Sequence, residues 1–278
     1  MKAIIKKGFD RGYFLDVIKH VNMITKIPNN VVFYIIHNKS DCISAINKLT
    51  AESKKEFINL CKKEVSFSYV HDNINYIIID LKNEDYLLYD RDALTGLILH
   101  ELMHIKTPDY FDKRMISDLK KVIYINIKKS RVKKKDSNVI FDIMKHSMML
   151  LKDLYVNERL MQMDLGNYLM RYYYQYFSKK RDLGALFKNK DIKNSRFIDD
   201  VLKIQLSLFT AIWPAEKFEI YNYDLFLKYI EDNSNIKIKK LDGMFSNLKK
   251  IYFKDYGSKK FNTMFFQEIL NITGRRLR

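Results

Sequence analysis

The segment Leu99-His100-Glu101-Leu102-Met103-His104 restricts this chain more than any other feature, because it sets two imidazoles four residues apart inside an apolar run. Residues four apart on an α-helix lie about 40° from one another around the axis, so both rings leave one face and can reach one ion. Glu101 stands about 100° around from His100, close to that ion but outside the ligand pair. Its natural task is to take a proton from water that the ion activates. Leu94, Leu97, Ile98, Leu99, Leu102, Met103 and Ile105 make the helix apolar nearly all round, the pattern of a buried element. Two imidazoles and a carboxylate need partners there, since burying one polar group unpaired costs roughly 2–7 kcal/mol. A zinc ion would satisfy all three. With six histidines in 278 residues, fewer than about one shuffled chain in a hundred would carry this spacing. Gly96, one turn before His100, reads either as room for close approach at the ligand face or as a small residue packed against another helix.

A catalytic zinc takes three protein ligands and keeps one position open, so a third donor is needed from elsewhere. Ile143, Ser147, Leu150, Leu151, Leu154, Glu158 and Met161 trace one face of a later helix at steps of three and four. A carboxylate in that stripe calls for a partner, which favours Glu158 as the third ligand. Asp142, His146, Asp153 and Asn157 form a neighbouring polar stripe, from which His146 or Asp153 could serve instead. His20, His37 and His71 are expected at the surface or in turns, without a role.

Eight glycines and three prolines leave few turn signals, and an apolar share of 47% supplies a core, so the expected fold is α+β and mostly helical. Val31–Ile36 reads as a buried strand. Ser66–Val70, His71-Asp72-Asn73 and Ile74–Leu81 read as strand, turn and strand of a hairpin, with a further short strand at Tyr86–Tyr89. A helix capped by Asp90 or Asp92 should carry the motif to about Lys106 and stop before Pro108. Helical patterns follow over Asp112–Ile127, Val139–Phe177 with a break at Gly166, Phe197–Ile212 ending at Trp213-Pro214, Tyr223–Ile230, Leu241–Phe253 and Phe261–Ile272. Lys128–Asp136 reads as a charged connection. The expected division is residues 1–178 around the motif and a helical lobe over 179–278.

Cys42 and Cys61 lack Cys or His neighbours at ligand spacing, and the first residues lack the apolar core of a signal peptide, so a cytoplasmic location is expected. No uncharged stretch reaches the length of a membrane span. The formal charge of +17 would suit nucleic acid, through Lys128–Lys135, Lys179-Lys180-Arg181 and the C-terminal Arg275–Arg278. Scattering of lysines along the whole chain favours a general residue bias over one binding face.

His100-Glu101-Leu102-Met103-His104 followed by Asn157-Glu158 resembles the gluzincin clan of zinc peptidases, in which the third ligand is a glutamate on a later helix. The likeness spans about 66–165. It implies a zincin-like domain with a small antiparallel or mixed sheet and an active-site helix. It also implies one Zn2+ held by His100, His104 and Glu158, Glu101 as general base, and a peptide or protein substrate. By the same analogy Ile74–Leu81 would be the edge strand that pairs with an extended peptide. The chain departs from the clan at Gln162, where an aspartate is usual, and at Lys106, usually apolar; Tyr155 is the candidate for oxyanion stabilisation. Members of the clan can be latent.

Overall fold

The structure, a computed structural model, describes residues 2–6, 9–36, 57–58, 66–80, 89–107, 109–128, 137–179, 208–220, 223–234, 239, 242–243 and 245–276. The expected strand at Tyr86–Tyr89 except Tyr89 itself, both cysteines, most of the basic connection at 129–136, the basic pair at 180–181 and the helical pattern over 197–207 lie outside these residues. No described helix is long and apolar enough to cross a membrane.

The fold is α+β and mostly helical, with one four-stranded mixed sheet among the described residues. Two compact units make it up: Met1–Lys106 with Met163–Lys179, and Thr107–Gln162 with Lys180–Arg278. The helices of Thr107–Gln162, which the sequence groups with the first 178 residues, thus pack with the C-terminal half.

In the first unit the strands β1 (Lys2–Ile5), β2 (Val31–Ile36), β3 (Ser66–His71) and β4 (Ile74–Asp80) lie in the order β1-β2-β4-β3. β1 and β4 run parallel to β2, and β3 runs antiparallel to β4. Helix α1 (Arg11–Ile24) makes the crossover from β1 to β2, as a parallel pair requires. The hairpin closes at Asp72 and Asn73, both at positive φ (50° and 60°), the conformation of a two-residue turn whose twist matches the strands. Strand alternation gives the sheet two faces. Tyr34, Ile36, Ile78 and Phe67 meet Phe57 on one of them. Phe33, Ile35, Ile77 and Ile79, all fully buried, occupy the other.

β4 is paired along both edges, by β2 and by β3. The expectation that Ile74–Leu81 forms the edge strand is therefore corrected: the tight turn at Asp72-Asn73 folds β3 back onto the outside of β4, and among the described strands β3 is outermost on that side.

Helix α2 (Arg91–Lys106) packs on β3, β4 and α1, and most closely on α5 (Gly166–Lys179). Asp90 caps it, accepting a hydrogen bond from the Ala93 amide (2.9 Å). The same carboxylate receives Arg171 Nε (2.7 Å) and Gln175 Nε2 (2.6 Å) from α5. Burial works against its charge, but these donors hold the Asp90 carboxyl below its usual range. At the other end Lys106 Nζ donates to Thr25 Oγ1 at the end of α1 (2.7 Å), and burial lowers the lysine's pKa.

Gly96 is where α2 and α5 cross. A Cβ built there would sit 2.6 Å from the Tyr168 carbonyl carbon and closer still to its oxygen, so the glycine serves helix packing. Gly96→Ala removes a helix-weakening residue, a gain of up to about 1 kcal/mol, yet drives a methyl group into backbone that cannot rotate away. The expected net result is a loss of about 2 kcal/mol, read as a lower urea midpoint. An unchanged or higher midpoint would mean that the two helices are not this close.

The described helices of the second unit are α3 (Asp109–Lys128), α4 (Ser137–Gln162), a helix over 208–217 that we call α6, α7 (Tyr223–Ser234), α8 (Ser246–Asp255) and α9 (Phe261–Arg276). α9 packs against α3, α4 and α8. Phe209, Trp213 and Tyr252 stack in its core, at 4.9 and 5.8 Å between successive ring centroids. Contrary to expectation, α6 does not end at Trp213-Pro214 but runs through it. Proline lacks an N–H, which leaves the Thr210 carbonyl without its helical donor. Asn157 Nδ2 takes that place at 2.8 Å. α4 and α5 are separated at Met163–Leu165, with Asp164 at a φ of 61°, close to the expected break at Gly166.

Candidate metal centre

The buried run from Ala93 to Met103 leaves α2 without a solvent face over three turns, as its composition demands. His100 and Glu101 are buried and His104 is half-buried. The two Nε2 atoms stand 3.0 Å apart, with the rings at 79° to each other. Tetrahedral zinc with bonds of 2.0–2.1 Å would separate two ligand nitrogens by about 3.3 Å, so the pair fits one ion after a shift of a few tenths of an ångström. Tyr173 of α5 lies edge-on to His100, at 6.5 Å between centroids. Glu101 turns toward the sheet, where Ser66 Oγ donates to its Oε1 at 2.7 Å.

Within the first unit, His100 and His104 are the side chains that the motif offers to a metal ion. Two imidazole nitrogens at this spacing suit a divalent cation. Asp153, on α4, is half-buried.

Glu158, the residue favoured by the sequence as third ligand, is almost fully buried in the second unit and has partners of its own there. The Lys217 ammonium donates to Oε1 and the Tyr252 hydroxyl to Oε2. Lys217 Nζ also lies over the rings of Tyr256 (4.6 Å) and Tyr252 (5.1 Å). Burial and the Glu158 charge push the Tyr252 hydroxyl well above the usual phenol range, which keeps it a neutral donor. Asp153 lies five residues before Glu158, about 140° around the helix, so the two carboxylates leave α4 in different directions.

The remaining sequence candidates are engaged in other ways. Tyr155 donates to Asn262 Oδ1 (2.8 Å), and burial raises its pKa to about 12. Gln162 is exposed at the end of α4. His20 pairs with the Tyr168 hydroxyl at 3.2 Å. His146 is half-buried on α4. Ser66 is the functional candidate that sequence reasoning missed; the alternation of β3 placed it on one face, but nothing local showed which helix that face would meet.

No known protein family, curated protein or solved structure matches this chain.

Proposed function

We propose that the protein is a metal-dependent peptidase in which His100 and His104 hold one divalent cation, zinc by preference, and Glu101 is the general base. The observation that carries this reading is the approach of the two Nε2 atoms to 3.0 Å of each other, on a buried helix that presents Glu101 one residue later. A bound zinc would supply Lewis acidity, lowering the pKa of water toward about 7 and polarising a carbonyl. Glu101 then accepts the proton of the attacking water and delivers it to the leaving amine. Its burial excludes bulk solvent from the proton transfer, which strengthens the electrostatic interactions there. An extended substrate would pair with β3, the edge of the described sheet and the strand that touches Glu101.

Metal analysis of the purified wild-type chain beside His104→Ala, together with cleavage of a mixed peptide substrate, tests this reading. The expected outcome is about one zinc per wild-type chain, most of it lost in the variant, and cleavage by the wild type that a chelator stops. A wild-type protein that takes up no divalent metal would sink the proposal. Stoichiometric metal without cleavage would reduce it to a metal-binding role.

A further inference from the structure

We infer that Ser66, on edge strand β3, is a positioning residue for Glu101, holding Oε1 so that Oε2 is presented to the attacking water. The inference rests on the peptidase reading above and adds to it a residue from outside the motif. Ser66 pairs with Ile79 of β4, so its side chain shares a sheet face with Ile77 and Ile79 and, across β4, with Phe33 and Ile35 of β2. Those four are fully buried and apolar, and α2 packs on both β3 and β4. A serine on such a face forgoes apolar burial and must place its hydroxyl hydrogen. Its 2.7 Å bond to Glu101 Oε1 does so.

The strand makes this an effective support. β3 is held to β4 over all six of its residues and closed by a two-residue turn, so the hydroxyl is fixed to the same sheet on which α2 rests. A slip of one residue would present Phe67 in place of Ser66, which ties the hydrogen bond to the register of the hairpin. A carboxylate with one oxygen so held loses rotamer freedom and keeps its other oxygen directed for proton transfer.

The test compares Ser66→Ala and Ser66→Thr with the wild type, as full-length, zinc-loaded protein. Ser66→Ala is expected to retain its zinc and its KM while kcat falls about 10- to 100-fold, the size of effect that misplacing a reacting group produces. Ser66→Thr, which keeps the hydroxyl and suits a strand, should recover most of kcat. A second measurement needs no turnover. In urea unfolding of Ser66→Ala, Glu101→Ala and the double variant, the unfolding constants should depart from a simple product by about tenfold or more, reporting the hydrogen bond itself. Unchanged kcat in Ser66→Ala, or constants that multiply within about twofold, would overturn the inference while leaving the peptidase reading intact. Absence of cleavage in the wild type would instead end the peptidase reading and the kinetic role of Ser66 together.

Discussion

Glu158→Ala is expected to lower the stability of the protein by about 3–5 kcal/mol while leaving its metal content unchanged. The carboxylate is almost fully buried and carries an ion pair with Lys217 and a hydrogen bond from Tyr252. Removing it leaves an ammonium under aromatic rings and a buried hydroxyl without its acceptor, and the desolvation of both is no longer offset. Lys217 is 28% exposed, so it can partly turn to water, which places the expected loss at the lower end of that range. Glu158→Leu combined with Lys217→Met should recover much of the loss, because replacing a buried pair by apolar groups of similar volume is often neutral. Chemical unfolding of the three variants reads the energies, and metal analysis of Glu158→Ala at a temperature where it remains folded reads the site. Metal lost from folded Glu158→Ala would return Glu158 to the ligand set.

Glu101→Gln should keep the zinc and reduce hydrolysis by roughly 10²- to 10⁴-fold, the usual contribution of a positioned general base. The amide is close to isosteric and can still accept the Ser66 hydroxyl proton through its carbonyl oxygen, so the fold and the histidine pair are undisturbed. What it lacks is basicity. The fall should appear in kcat and kcat/KM alike, because proton transfer is used only in the transition state. A variant with more than about a tenth of wild-type kcat would remove Glu101 from the proton-transfer step.

Much of the motif helix is legible in the sequence. A cap at Asp90 or Asp92, a stop after Lys106 and burial nearly all round follow from residues within one short window, because capping, proline sterics and the 3.6-residue period are all local, and the structure uses Asp90. The hairpin was legible for the same reason, through alternation and the Asp72-Asn73 turn. The limits of α6 were less so. Pro214 marks a helix end by local rules, whereas Asn157, 57 positions earlier and on another helix, meets the carbonyl that loses its helical donor to the proline.

By itself, then, the sequence determined that two imidazoles and a carboxylate share one buried helix, and that buried polar groups on α4 must find partners. Tertiary structure decided who those partners are. Lys217 and Tyr252 claim Glu158, Tyr168 accounts for Gly96, the folding back of β3 takes the sheet edge from β4, and Ser66 reaches Glu101. Backbone periodicity places a side chain on a face, because its range is a few residues. A hydrogen bond or an ion pair is completed by whichever residue packing brings within about 3 Å, at any separation along the chain.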